Sequence, residues 1–117
     1  METTRVSDLG FLKQFSSGNT AMMKQLINVF LQTSQDAMSK IEGFIAEKNW
    51  ERVGAIAHQL KPQCSYMGIK TAEQLILKIE ELKNSADGGN IPELFSQLKT
   101  MLETAVVELK EELTKIS

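Results

Sequence analysis

The chain of 117 residues contains one histidine, His58, in the stretch AHQLKPQCSYMG that runs from Ala57 to Gly68. An imidazole that is neutral near pH 7 can act as a nucleophile, a proton carrier or a metal ligand, and its neighbours decide among these. Lys61 and Pro62 follow three and four residues later, and Gly54 lies four residues before. At about 100° of rotation per residue, a helix through this stretch sets Gly54, Lys61, Pro62 and Ser65 within about 60° of His58. Val53, Ile56, Leu60, Cys64 and Met67 gather on the opposite side. His58 is therefore expected to face outward, with Lys61 offering positive charge to an anion on the ring.

Two neighbours are unusual for a helix. Gly54 removes a side chain beside the imidazole, although a close contact with another element is an equally direct reason for a glycine. Pro62 deletes the hydrogen bond to the carbonyl of His58 at a cost of roughly 3 kcal/mol, so the helix either bends there or ends early. The apolar phase continues through Cys64 and Met67, which favours the bend.

Other chemistries fit poorly. Dinuclear sites in helix bundles use two ExxH segments, and one histidine cannot supply both. Cys64 lies on the buried phase and His58 on the exposed one, so they form neither a ligand pair nor a nucleophilic dyad. There is no GxxxxGK[ST] loop and no set of kinase motifs, so the chain is not expected to use ATP. No metal and no cofactor are expected on it.

A net charge of -2 and a pI near 5.4 give no support to binding nucleic acid or an acidic membrane. Cys64 is alone, which rules out an internal disulfide and makes a reducing compartment the simplest setting. No apolar stretch approaches the ~20 residues needed to cross a bilayer. The expectation is a cytoplasmic chain forming one domain over residues 1–117.

Helices must position the site. Residues 7–15, SDLGFLKQF, read as a short first helix with Ser7 as its cap and Leu9, Leu12 and Phe15 turned inward. From Thr20 to about Ala46 apolar residues recur at spacings of three and four, with Asn19 as cap. Asn49 can cap a third helix from Trp50 to near Met67. A fourth runs from Thr71, as its own cap with Gln74 reaching back, to about Asn84. SADGGN is a loop, and a fifth helix extends from about Pro92 to Lys115. The long one-faced helices can bury their stripes only on one another, which predicts an all-α, antiparallel four-helix bundle with an additional short N-terminal helix.

The stretch AHQLKPQCSYMGI resembles the signature of histidine-containing phosphotransfer domains. In that family a phosphoacceptor histidine is followed by an aliphatic residue, a lysine, a residue that is usually glycine, small residues, and an aliphatic residue with glycine. His58, Leu60, Lys61, Pro62, Cys64, Ser65, Met67 and Gly68 stand at those places. The upstream residues LINVFLQTSQDAMSKIEGFIAEKNWERVGAI are similar to the family's long helix and its entry to the histidine helix, so the likeness extends over nearly the whole chain. Pro62 departs from the usual glycine, and the resemblance then implies a working site with altered partner choice or helix curvature.

The resemblance implies a phosphorelay intermediate. His58 would accept a phosphoryl group, at Nε2, from a sensor histidine kinase or a response-regulator receiver domain and pass it to a receiver aspartate. Lys61 would offset charge on the phosphoryl oxygens, and Gln59 or Gln63 would orient the ring or reach the partner. Gly54, Gln59, Pro62, Gln63 and Ser65 make up the expected partner-binding set, bordered by Phe11, Phe15 and Met22. Magnesium is expected on the partner receiver, and the chain is expected to be a monomeric phosphocarrier. The alternative is a noncatalytic helical docking or adaptor module.

Overall fold

The computed structural model describes residues 6–84 and 87–116, and the regular structure among them is helical. The helices are α1 (Gly10–Ser16), α2 (Thr20–Ala46), α3 (Trp50–Tyr66), α4 (Lys70–Glu81) and α5 (Ile91–Lys115). Each of α2 to α5 packs on the next through a short connection, and α5 returns to α2. The result is the expected four-helix bundle, with α1 laid against α2. Ser85 and Ala86 of the expected loop lie outside the described residues.

Capping and patterning explain the first two long helices. The Asn19 side chain accepts from the Met22 amide at 3.0 Å, and that of Asn49 accepts from the Arg52 amide at 3.3 Å. Met23, Ile27, Phe30, Ala37 and Ile41 form the buried stripe of α2, facing Val53, Ala57, Leu60 and Cys64 of α3. Truncating one fully buried member such as Ile27 or Leu60 to alanine should cost about 2–5 kcal/mol.

Helix α3 does not end at Pro62. It runs across the proline to Tyr66, as the apolar phase requires, and the ring stands on the exposed side.

Helix α4 starts differently from the expectation. Its cap is Ile69, without a side-chain hydrogen bond, rather than Thr71. Gly68 turns the chain with φ of 67°, a conformation glycine adopts without a Cβ penalty, and Ile69 drops fully into the core. Burial of Ile69 thus sets the start of the helix, and α4 ends at Glu81 rather than near Asn84. Helix α5 starts at Ile91 with Pro92 in its first turn.

The N-terminal segment also departs from the expectation. Ser7 does not cap α1; the cap residue is Leu9, and the Asp8 carboxylate accepts from the Gly10 amide at 2.9 Å. Ser7 is instead buried against α5, where its amide and that of Val6 each donate to the Glu108 carboxylate at 3.0 Å. The Asp8 amide donates to the Met67 carbonyl at 2.9 Å. A Cβ on Gly68 would collide with the Asp8 carbonyl oxygen, so only glycine lets the segment cross the end of α3. Leu9 and Leu12 are buried as expected, whereas Phe15 points to solvent.

Candidate functional site

His58 occupies the outer side of α3, with 72% of its side chain exposed. Across the α3–α4 seam its Nδ1 lies 3.0 Å and 3.2 Å from the Glu80 carboxylate oxygens. A carboxylate that is ionised can only accept, so Nδ1 carries the proton and donates it to Glu80. In the neutral ring the lone pair is then on Nε2. The arrangement fixes both tautomer and ring orientation from one side.

The packing of α3 on α4 makes this contact possible. Ile76 and Ile79 are fully buried, and the next residue, Glu80, falls at the edge of the helix facing α3. Gly54 lies one turn before His58 and is buried, which corrects its placement on an open partner surface. A Cβ there would meet the Lys83 Cβ at 2.7 Å, so the missing side chain makes room for the turn that follows α4 and not for a visitor. Close approach at Gly54 keeps Glu80 within reach of the ring.

The remaining expected residues divide by exposure. Gln59 and Pro62 are exposed, and Lys61 is half-buried. Ser65 is exposed, but its hydroxyl donates to Glu73 of α4 at 2.8 Å, which makes a second polar tie across the same seam. Gln63 is half-buried with its Oε1 sealed from solvent and without a hydrogen-bond partner, so that oxygen is not presented to a docking protein. Cys64 is fully buried, and burial first, with Glu73 second, pushes its thiol up to about 12. Such a thiol is inert at neutral pH.

Two features were not foreseen from sequence. Glu80 stands 22 residues from His58, and no local spacing connects them. Phe11 and Phe15 of α1 stack with Tyr66 at the end of α3, with ring centroids 5.8 to 6.1 Å apart. All three are exposed, at 49%, 52% and 41%. An exposed aromatic at position 66 gives no signal of its own until α1 is known to lie beside it.

A groove of about 690 Å³ is lined by α2 and α5 and contains no residue of α3 or α4. Among the described residues no helix is long and apolar enough to cross a membrane, and no three His, Cys, Asp or Glu side chains gather as a metal site would require.

An outward histidine on a four-helix bundle agrees with the comparison to known families, in which the Hpt domain matches residues 25–108. The chain belongs to the Hpt domain family. Its Hpt region contains all of α3 and α4, including His58 and Glu80, while α1 lies before it. The fold is similar to the crystal structure of histidine-containing phosphotransfer protein B (HptB) from Pseudomonas aeruginosa PAO1, with a TM-score of 0.88 at 16% identity. That likeness covers 98% of this chain and 100% of HptB, so α1 belongs to the shared architecture. Among curated protein sequences none matches. Membership in the Hpt family assigns the chain to histidine phosphotransfer.

Proposed function

We propose that His58 is the phosphoacceptor of a phosphorelay, taking a phosphoryl group from a kinase histidine or a receiver aspartyl phosphate and passing it to a receiver aspartate. The exposed ring whose Nδ1 is held by Glu80 is the observation that carries this reading. In the receiver-to-histidine direction, the Nε2 lone pair attacks phosphorus as the bond to the aspartyl oxygen breaks and the carboxylate leaves. The ring gains positive charge, and the Nδ1 proton facing Glu80 is where that charge is stabilised. Transfer onward is the reverse, to a second aspartate.

Lys61 sits one turn beyond His58 and would balance charge on the phosphoryl oxygens. Gln59, Pro62 and Ser65 supply exposed surface around the ring. Phosphoryl transfer depends mainly on positioning and charge stabilisation, and the magnesium ion that contributes to it would be held by the receiver. The chain would then act as a cytoplasmic phosphocarrier without using ATP itself.

Incubation with phosphorylated receiver domains, screened one by one, tests the proposal and finds the partner together. The expected result is acid-labile label on the wild-type chain and none on His58→Gln. Unchanged label in the variant, or acid-stable label on serine, overturns it. Binding of a receiver with no label on the wild-type chain would instead identify a docking module.

A further inference from the structure

Three contacts follow one another along the antiparallel α3–α4 pair: Ser65 with Glu73, His58 with Glu80, and Gly54 with Lys83. Lys83 stands in the turn after α4, where its amide donates to the Glu80 carbonyl at 3.3 Å. Its place relative to the residue that holds the imidazole is thereby fixed. A Cβ at Gly54 would meet the Lys83 Cβ at 2.7 Å, its Cδ at 3.0 Å and its Cγ at 3.4 Å, so the lysine stem lies flat across α3 where the glycine leaves it bare. Lysine can cover a surface with its methylenes in this way while its charged end stays in water.

Gly54 is one turn before His58, and Lys61 is one turn after it. Residues a turn apart on one face of a helix stand about 5–6 Å from each other at Cβ. Beyond Cδ the lysine still has one carbon and its nitrogen, about 2.5 Å of reach at ordinary bond lengths. That reach brings the ammonium to a group carried outward on the ring. The ammonium is also uncommitted: Lys83 is exposed and, unlike Lys99, has no ion pair among the described residues.

A phosphoryl group on Nε2 would bring about two negative charges to a ring whose other nitrogen already faces the Glu80 carboxylate. Lys61 offsets one of them, and a second cation is needed for the rest. We propose that Lys83 is that cation, a catalytic residue whose stem lies over Gly54 so that its ammonium touches the phosphoryl oxygens from the N-terminal side of the ring, as Lys61 does from the C-terminal side. This rests on the transfer reading of His58. It gives Gly54 a part in the chemistry as well, because a side chain there would lift the lysine away.

A lysine behind a helix also answers the negative end of that helix, so the test reads chemistry and stability separately. Phosphoramidate, a small donor with no docking surface, is the probe: its P–N bond breaks as the bond from Nε2 forms, and ammonia leaves. Labelling of the full chain is timed for wild type, for Lys83→Met, which keeps the stem and drops the charge, for Lys83→Arg and for Gly54→Ala. Lys83→Met should label about fivefold more slowly, the upper end of what an exposed charge contributes, with its thermal midpoint unchanged. Lys83→Arg should stay within about twofold of wild type. Gly54→Ala should be slowed as much as Lys83→Met, and the two changes together no more than either alone. Added salt should slow wild type and narrow the gap. In NMR spectra the Lys83 Cε resonance should move on phosphorylation while that of Lys99 stays.

Equal labelling of wild type and Lys83→Met, or a Lys83 resonance indifferent to phosphorylation, overturns the proposal. Slowing that Lys83→Arg shares, with a lowered midpoint, assigns Lys83 to the helix end and overturns it too. A loss confined to transfer from a receiver, with phosphoramidate labelling intact, makes Lys83 a docking contact and likewise overturns it. In each of these cases label on wild-type His58 leaves the transfer reading standing. No label there from phosphoramidate or from any receiver overturns both.

Discussion

The two long seams of the bundle are built for different purposes. Between α3 and α4, glycine at 54 makes room for Lys83 in the turn after α4, Ser65 and His58 reach across to Glu73 and Glu80, and the imidazole stands on the outer side. Between α2 and α5 the helices part over an open groove of about 690 Å³, lined by Ser34, Met38 and Leu102 with Lys99 paired to Glu42 at 2.7 Å on its rim. The groove holds neither His58 nor any other residue of α3 or α4, and His58 stands out from the surface with 72% of its side chain exposed. A small-molecule site joins the two features in one place. Their separation here favours a macromolecular partner that brings its own enclosure to His58.

The sharpest probe of the tight seam is Cys64. With its thiol pushed up to about 12 from an ordinary 9.0, alkylation at pH 8 should be about a thousandfold slower in the native chain than in urea-unfolded chain. Native labelling at the unfolded rate would mean that the seam opens readily. The sign for stability follows from the same shift. The fold favours the protonated thiol, so this contribution is intact below pH 9 and is lost as pH climbs toward about 12. Urea melts of Cys64→Ala should therefore decline less steeply with pH over that window.

Next in size is Glu80. Glu80→Ala should slow phosphoryl transfer about 10- to 100-fold by releasing the ring's tautomer and orientation, while Glu80→Gln, whose carbonyl still accepts from Nδ1, should lose less. Single-turnover transfer beside a thermal melt separates the two effects, and wild-type rates in both variants would remove Glu80 from the site. Gly54→Ala should then cost about 1–3 kcal/mol in urea unfolding, because the contact is with the Lys83 Cβ, which cannot swing away as a side-chain tip would. A neutral result would show that the seam has slack.

The open seam should respond least. The Lys99 ammonium is raised above its ordinary value first by its hydrogen bond to Glu42 and then by attraction to that carboxylate, yet the pair lies at the surface, with both side chains about half exposed. Surface pairs of this kind contribute little. Lys99→Ala should leave both the thermal midpoint and the transfer rate unchanged within error, and a clear loss of transfer would mean that the groove takes part after all.

Periodicity was enough for the helices and for the outward direction of His58, because both depend on rotation along one element. It failed wherever the decisive contact joined two elements. Glu80 and His58 meet across two helices, 22 residues apart, and the reason for the glycine at 54 was visible only from Lys83 in the turn after α4. Ser7 carries a good capping side chain, but a buried carboxylate 101 residues away competes for it and wins. Thr71 and Gln74 have capping-box spacing, and burial of Ile69 after the left-handed Gly68 overrode it. Phe15 follows the spacing of a core residue, yet α1 is too short to bury more than one side.

A ring on a ridge can be approached by one protein at a time. If His58 carries the phosphoryl group as proposed, donor and acceptor would land on the same ground in turn, and relay would run as a ping-pong exchange in which an excess of either crowds out the other. Competition between bystander receivers, and not the speed of the chemical step, would then limit how quickly such a carrier passes its cargo on.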